Sequence, residues 1–238
     1  MSLTVGRILS RAQTVIQDTL GTFWPREELL DWFNDARRAI LTHKPSAGAQ
    51  NVVLPLVQGS YQPLAPDVVA LLRIYRNVEA VGTGEVPPAD RRPGRVVRIV
   101  ERHAMDSQLP NWHEAAATTQ VDHYMVDSDD PHTFYVYPPN DGTGKVEALV
   151  AFAMEELALT DEDDPLDMDT GFPDVYGNAI LDFVLYRAYL KNANFAGSLE
   201  RATAHYSMFA QALGIRHQAM LVSNAKTEAA VVKEDGGI

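Results

Sequence analysis

Apolar and polar positions follow two different periods along this chain, and the change of period divides it. Near the N-terminus Val5, Ile8, Leu9, Ala12, Val15 and Ile16 recur at helical spacing. They predict a helix from about Thr4 to Leu20, stopped by Gly21, since a residue past a helix end often needs positive φ. A second helix is predicted to start at Pro25, where a missing N–H costs nothing, and to end at Pro45. Leu29, Phe33, Ala36 and Ile40 make its buried stripe, widened by Leu30 and Trp32. Glu27 and Glu28 suit the positive end of its dipole, and Arg37, Arg38, His43 and Lys44 the negative end.

From about Asn51 to Thr170 the period becomes two. Strands are predicted at Val52–Leu54, Leu71–Val81, Arg95–Val100, Thr119–Asp127, Thr133–Tyr137 and Val146–Phe152. Prolines punctuate them, and Asn140-Asp141-Gly142-Thr143-Gly144 reads as a hairpin turn joining two strands. Short helical turns are expected at Pro66–Ala70 and near His103–Ala117, and a mobile loop from Gly82 to Gly94. Residues 155–174 hold nine acids and no base, which predicts a solvated connector.

Helical spacing returns at Pro173. Leu181-Asp182-Phe183-Val184-Leu185-Tyr186-Arg187-Ala188-Tyr189-Leu190 is apolar nearly all round, the mark of a helix buried on most sides. A partner helix is expected from near Phe195, with Gly214 as a break. Tyr186, Tyr189, Tyr206 and Phe209 read as core aromatics. This hairpin carries more apolar surface than two helices can hide in each other, so the N-terminal pair is expected to cover the rest. The expected fold is α+β. Residues 1–46 and 171–222 form a helical domain of about four helices. Residues 47–170 form an inserted β-rich module with the acidic connector, and 223–238 a disordered tail.

A chain of 238 residues with 46% apolar content supports one good core or a core with a satellite. The net charge of −12 argues against binding that neutralises phosphates and against docking on an anionic membrane. There is no cysteine, which removes disulfides, thiolate metal sites and cysteine nucleophiles. The N-terminus lacks a basic-then-apolar signal, and Asp182 and Arg187 mark the most apolar helix as a core element, so a soluble cytosolic product is expected.

Candidate chemistry is sparse. Asp122, His123 and His132 lie in a His/Asp-rich centre, but a catalytic metal needs about three converging ligands. Neighbours such as Asp122 and His123 point to opposite faces of a strand. Gly82-Thr83-Gly84 and Gly142-Thr143-Gly144-Lys145 lack P-loop spacing and read as turns. No nucleophile elbow is present. Arg91, Arg92, Arg95, Arg98 and Arg102 form one basic cluster, read as a contact for an acidic protein surface or as a charged strand edge, with contact to nucleic acid ranked below both in so acidic a chain. Arg187 calls for a carboxylate partner, with Asp31 and Asp35 as candidates, unless it snorkels to solvent.

Several stretches carry a resemblance. They are Arg7-Ile8-Leu9-x-x-Ala12-Gln13-x-x-Ile16-x-Asp18, Trp24-Pro25-x-Glu27-Glu28-Leu29-Leu30-x-Trp32-x-Asn34-Asp35-Ala36, Leu71-Leu72-Arg73-Ile74-Tyr75-Arg76-Asn77, Phe134-Tyr135-Val136-Tyr137-Pro138-Pro139, and the C-terminal hairpin. Together the chain resembles the head-to-tail adaptor (connector, or head-completion) proteins of tailed bacteriophages, the short-tailed type above all. The resemblance implies a virion structural protein, made in the host cytoplasm, with no catalytic site and no cofactor. It implies a homo-oligomeric ring, usually a dodecamer, that docks on the portal protein and receives tail or nozzle proteins while genomic DNA passes through the lumen. It also implies that 223–238, with Lys226, Val231, Val232, Lys233 and Ile238, docks on the portal. Two other readings stand beside it: a metal-dependent hydrolase using the central His/Asp segment, and a helical-hairpin protein-binding module.

Overall fold

Helix α1 spans Val5–Val15 and buries Val5, Ile8, Leu9 and Ala12. It ends before the expected Leu20 because Gln17 takes φ 60° and Asp18 turns the chain. The Asp18 carboxylate accepts the backbone N–H groups of Thr22 (2.9 Å), Phe23 (2.8 Å) and Trp24 (2.8 Å). Val15, the last residue of the helix, is left exposed while Ile16 beside it is buried. Helix α2 is Arg26–His43, with its expected stripe buried along with Leu30 and Trp32. Helix α4 (Gly177–Lys191) follows a 3-10 turn at Asp174–Tyr176. Helix α5 (Ser198–Leu213) starts three residues after the expected Phe195, behind Gly197 in the left-handed region, and ends at Gly214, φ 71°. This computed structural model describes residues 3–127, 129–158, 168–192 and 194–214. The expected tail at 223–238 and the middle of the acidic connector lie outside them.

The chain divides into two compact units, Met1–Ala39 with Glu156–Ile238, and Ile40–Glu155. In the first, α4 packs against both α1 and α5. Ala179, Ile180, Leu181, Val184, Leu185, Ala188 and Tyr189 are buried, so apolar residues on nearly every side of α4 are covered. Polar contacts join α4 to the N-terminal helices. The Trp24 indole donates to the Ala188 carbonyl (3.2 Å), and Lys191 Nζ donates to Glu28 (2.6 Å). The connector's ends are also held. Asn34 on α2 donates to the Leu157 carbonyl and accepts its N–H, at 2.8 and 3.1 Å. Thr4 bridges Asp169, and the Val5 N–H donates to the Met168 carbonyl (2.9 Å). Arg37 is buried beside Asn34, and burial pushes its guanidinium down from its ordinary value.

The second unit is a sandwich of two four-stranded sheets. Its strands are β1 (Ala49–Pro55), β2 (Gly59–Pro63), β3 (Val68–Ala80), β4 (Arg91–Val96), β5 (Arg98–Ile99), β6 (His123–Val126), β7 (Thr133–Asn140) and β8 (Lys145–Phe152). One sheet has the order β1-β8-β3-β4 and the other β2-β7-β6-β5, with β5 parallel to β6. Val52, Ile74, Val146, Ala148 and Val150 of the first sheet meet Tyr124, Phe134 and Val136 of the second in one core. A fifth helix, α3 (Arg102–Gln108), contributes Met105 to a smaller cluster with Trp112 and Met125. The fold is therefore α+β: four helices drawn from both chain ends, and a β-rich insert between them.

Three local expectations give way. The Asn140–Gly144 turn is no hairpin, because β7 and β8 belong to different sheets. The Asn140 side chain accepts the N–H groups of Gly142 and Gly144 and donates to the carbonyls of Thr118 and Thr119, steering the chain across rather than back. The Arg95–Val100 strand splits at buried Val97, where the chain leaves one sheet for the other. The helical turn at Pro66–Ala70 is instead the start of β3, which suits β-branched Val68 and Val69. Strand β2 had no counterpart in the expected pattern, because its polarity is inverted: Ser60 and Gln62 are buried and Tyr61 is exposed.

Buried amides hold the sandwich together. Asn77 on β3 donates to the carbonyls of Arg95 (3.0 Å) and Val121 (2.8 Å) and accepts the Val121 N–H (2.8 Å). Asn77→Ala leaves these backbone groups without their partner, and should cost about 2–4 kcal/mol in chemical denaturation. The Asp18 carboxyl is held below the usual carboxylate range chiefly by the Trp24 N–H, then by those of Phe23 and Thr22. Its stabilising contribution is thus present above the unfolded carboxyl pKa of about 4 and is lost as pH falls through the lower folded value. Asp18→Ala should lower the thermal midpoint at neutral pH, and the gap to the parent should close in acid.

Candidate functional site

The five arginines of the basic cluster do not form one free patch. Arg91 opens β4, and its side chain is only 11% exposed, within 3.2 Å of Glu147 on β8. It also donates to the carbonyls of Val86 (2.6 Å) and Asn51 (3.0 Å) and to the Asn51 side chain. Arg92 lies 3.6 Å from Glu79 and Arg95 3.2 Å from Asp122, both arginines being exposed. Arg102 on α3 stacks over the Tyr135 ring at 4.4 Å and is 3.8 Å from both Asp106 and Asp127. Arg98 alone has no side-chain partner among the described residues. Sequence reading found the arginines but missed Glu147, which the β8 register brings alongside Arg91 and within 3.3 Å of Arg76. Lys226, Val231, Val232, Lys233 and Ile238 lie outside the described residues.

The stretch from Gly82 to Gly94, expected to be a mobile loop, is tied to the sheet at a few points and ends in a strand. Val86 is buried with Val53 and Val78, Gly84 bridges Val53, and β4 begins at Arg91. The two glycine-rich strings are turns, as their spacing indicates. At the second, Asp141 accepts the Thr119 and Thr143 hydroxyls and the Thr143 N–H. These bonds, the Thr119 one foremost, hold its carboxyl below the ordinary range.

The His/Asp-rich centre does not converge. Asp122 faces Arg95, His123 lies against the Tyr137 ring at 6.2 Å, and His132 is exposed at the start of β7. Among the described residues no three His, Cys, Asp or Glu side chains are placed to hold one metal ion. Beside Trp112 a groove of about 340 Å³ is lined by Leu109, Pro110, Ala115 and Tyr137 with Gln108 and Asn111, and no His, Asp, Glu, Lys or Arg lines it. No described helix is long and apolar enough to cross a membrane.

The helical unit leaves several large apolar side chains exposed. Leu20 is 91% exposed, and Phe23, Val175, Phe195, Leu199 and Met208 are each more than half exposed. These are single residues on the α1–α2 turn, the approach to α4, and α5. Between α4 and α5 the aromatic residues are packed rather than offered to a ligand. Phe183 meets Phe209 at 5.0 Å, Tyr186 meets Tyr206 at 5.1 Å, and Tyr189 stacks on His205. His205 Nδ1 lies 2.9 Å from Asp182 Oδ1. What this arrangement offers chemically is contact area, apolar and charged.

Comparison with protein families adds one finding. A family model described as SU10 adaptor protein matches residues 3–231, nearly the whole chain. Comparison with curated proteins found no match.

Arg187 finds Asp35, one of its two expected partners, at 3.4 Å, but in a half-exposed position. Solvent screening keeps such a pair weak, so Arg187→Ala should cost only about 0.5–1 kcal/mol. A double-mutant cycle with Asp35→Ala checks it. A coupling above about 2 kcal/mol would contradict the half-exposed placement.

Proposed function

The chain belongs to the SU10 adaptor protein family, and from that premise we propose that it is a virion structural protein at the head-to-tail junction of a tailed bacteriophage. It forms a homo-oligomeric ring, a dodecamer in the form the resemblance implies, that docks on the portal protein and receives tail or nozzle proteins. The family match through residues 3–231 carries this reading, since it takes in both helical ends and the insert. Two further observations support it. The helical unit exposes Leu20, Phe23, Phe195, Leu199 and Met208, apolar side chains suited to burial between subunits. The insert exposes Arg92, Arg95 and Arg98 on the short edge strands β4 and β5.

Within the ring, the helical unit makes the subunit contacts and the insert supplies loops to neighbouring proteins. The C-terminal segment 223–238 docks on the portal. Genomic DNA passes through the lumen without specific binding, helped by the net charge of −12, which repels phosphate.

Mixing the purified chain with its portal protein and imaging by electron microscopy tests the reading. A ring seated on the portal is expected. A chain lacking residues 223–238 should keep its thermal midpoint while docking more weakly. Failure of the full-length chain to associate with the portal at any concentration would end the adaptor proposal.

A further inference from the structure

One built feature of the insert lies at the free edge of its first sheet. Between β3 and β4 the chain passes alongside β1, the outermost strand of its sheet. The outward-pointing backbone groups of β1 are those of Ala49, Asn51, Val53 and Pro55, because Val53 turns both its N–H and its carbonyl away from β8. Three of the four central groups, on Asn51 and Val53, are occupied. The Val53 N–H donates to the Gly84 carbonyl (2.7 Å), and the Gly84 N–H donates back to the Val53 carbonyl (2.8 Å). The Asn51 carbonyl accepts from Arg91 Nη2 (3.0 Å), and Pro55 has no N–H to offer. Open edges of this kind are templates for pairing with another chain.

The covering stretch is held at few points. Its backbone bonds to β1 are the single reciprocal pair at Gly84. Gly82 (φ 101°) and Gly84 (φ 78°) take a conformation that other residues adopt only with strain. Two anchors keep it down. Val86 is buried against Val53 and Val78. Arg91 joins the stretch's own carbonyl at Val86 (2.6 Å) to Asn51 and to Glu147 (3.2 Å).

We propose that residues 81–91 guard the free edge of β1, that Arg91 is the latch, and that releasing it opens this edge to β1 of a second copy. The edge is self-complementary. Residues 49–54, Ala-Gln-Asn-Val-Val-Leu, carry no charge to repel a copy of themselves. Antiparallel pairing centred on Val53 would exchange the same two N–H to carbonyl bonds that Gly84 now makes. A basic side chain that the sequence offered as a partner contact is, on this geometry, an internal clasp.

The test compares the full chain with Arg91→Ala, by amide hydrogen exchange and sedimentation velocity. Val53 and Gly84 amides should exchange at least about tenfold faster in the variant. The variant should also self-associate with rising concentration beyond anything the parent shows. Adding Asn51→Lys to the variant places a charge on the opened edge, and should suppress that association while exchange stays fast. Gly84→Pro, which removes the N–H and cannot take the positive φ, provides a second release should Arg91→Ala fail to fold. Unchanged exchange at Val53 in a folded variant would overturn the latch. Fast exchange without association, or association indifferent to Asn51→Lys, would overturn the guarding role. Portal docking can succeed or fail independently of every one of these outcomes.

Discussion

A helix that is apolar on almost every side cannot remain at a surface, and the helical unit is arranged around that fact. Helix α4 buries seven apolar side chains spread round its circumference, and two neighbours from one stretch of sequence would not cover them. Helix α5 takes one side and α1, from the opposite end of the chain, takes another. The polar contacts at the margins are modest by comparison. The Lys191–Glu28 and Arg187–Asp35 pairs sit in partly solvated positions, where screening leaves them little net energy. They set the register of α4 against α2, while the apolar contact supplies the stability.

In the sandwich the corresponding constraint is polar. Gln62, Asn77 and Asn140 are buried side-chain amides bonded to backbone groups of loops and strand ends. Asn34 serves the connector in the same way. Each presents a donor and an acceptor, as a peptide group does, and so stands in for a neighbouring strand where none is available. Gly144 shows how closely the chain approaches one of them: a Cβ there would collide with the Asn140 amide and the Thr119 carbonyl. Glycine at that position follows from contact, whereas at Gly84 it follows from φ.

What the sequence disclosed follows from where the information is local. Helical periodicity placed α1, α2, α4 and α5 within a few residues, because a stripe such as Leu29, Phe33, Ala36 and Ile40 is a property of one segment. The strands were found more often than their partners, since pairing is decided by residues far apart in the chain. Asn140–Gly144 carries every local sign of a hairpin turn and still passes from one sheet to the other. Strand β2 escaped notice because Gln62 satisfies its amide inside, so a polar residue occupies the position where an apolar one is expected. The arginine cluster was visible as composition, but its carboxylates were not: Glu147 lies 56 positions from Arg91 and meets it only through the order β1-β8-β3-β4. Family resemblance, carried by scaffold segments rather than by a constellation of reactive groups, located the protein among adaptors when its chemistry could not.

The division of the helical unit between the two chain ends also sets a timetable for biosynthesis. The ribosome releases α1 and α2 first, yet the surface that shelters them includes α4, which ends at Lys191. At about 5–20 residues per second, α1 waits roughly 10–35 s for that partner. Ile40–Glu155, with both sheets and their shared interior, is complete earlier and has all it needs to fold while translation continues. The middle of the polypeptide therefore matures before its beginning. During that interval Ile8 and Leu9 of α1, fully buried once the unit is complete, stand without α4.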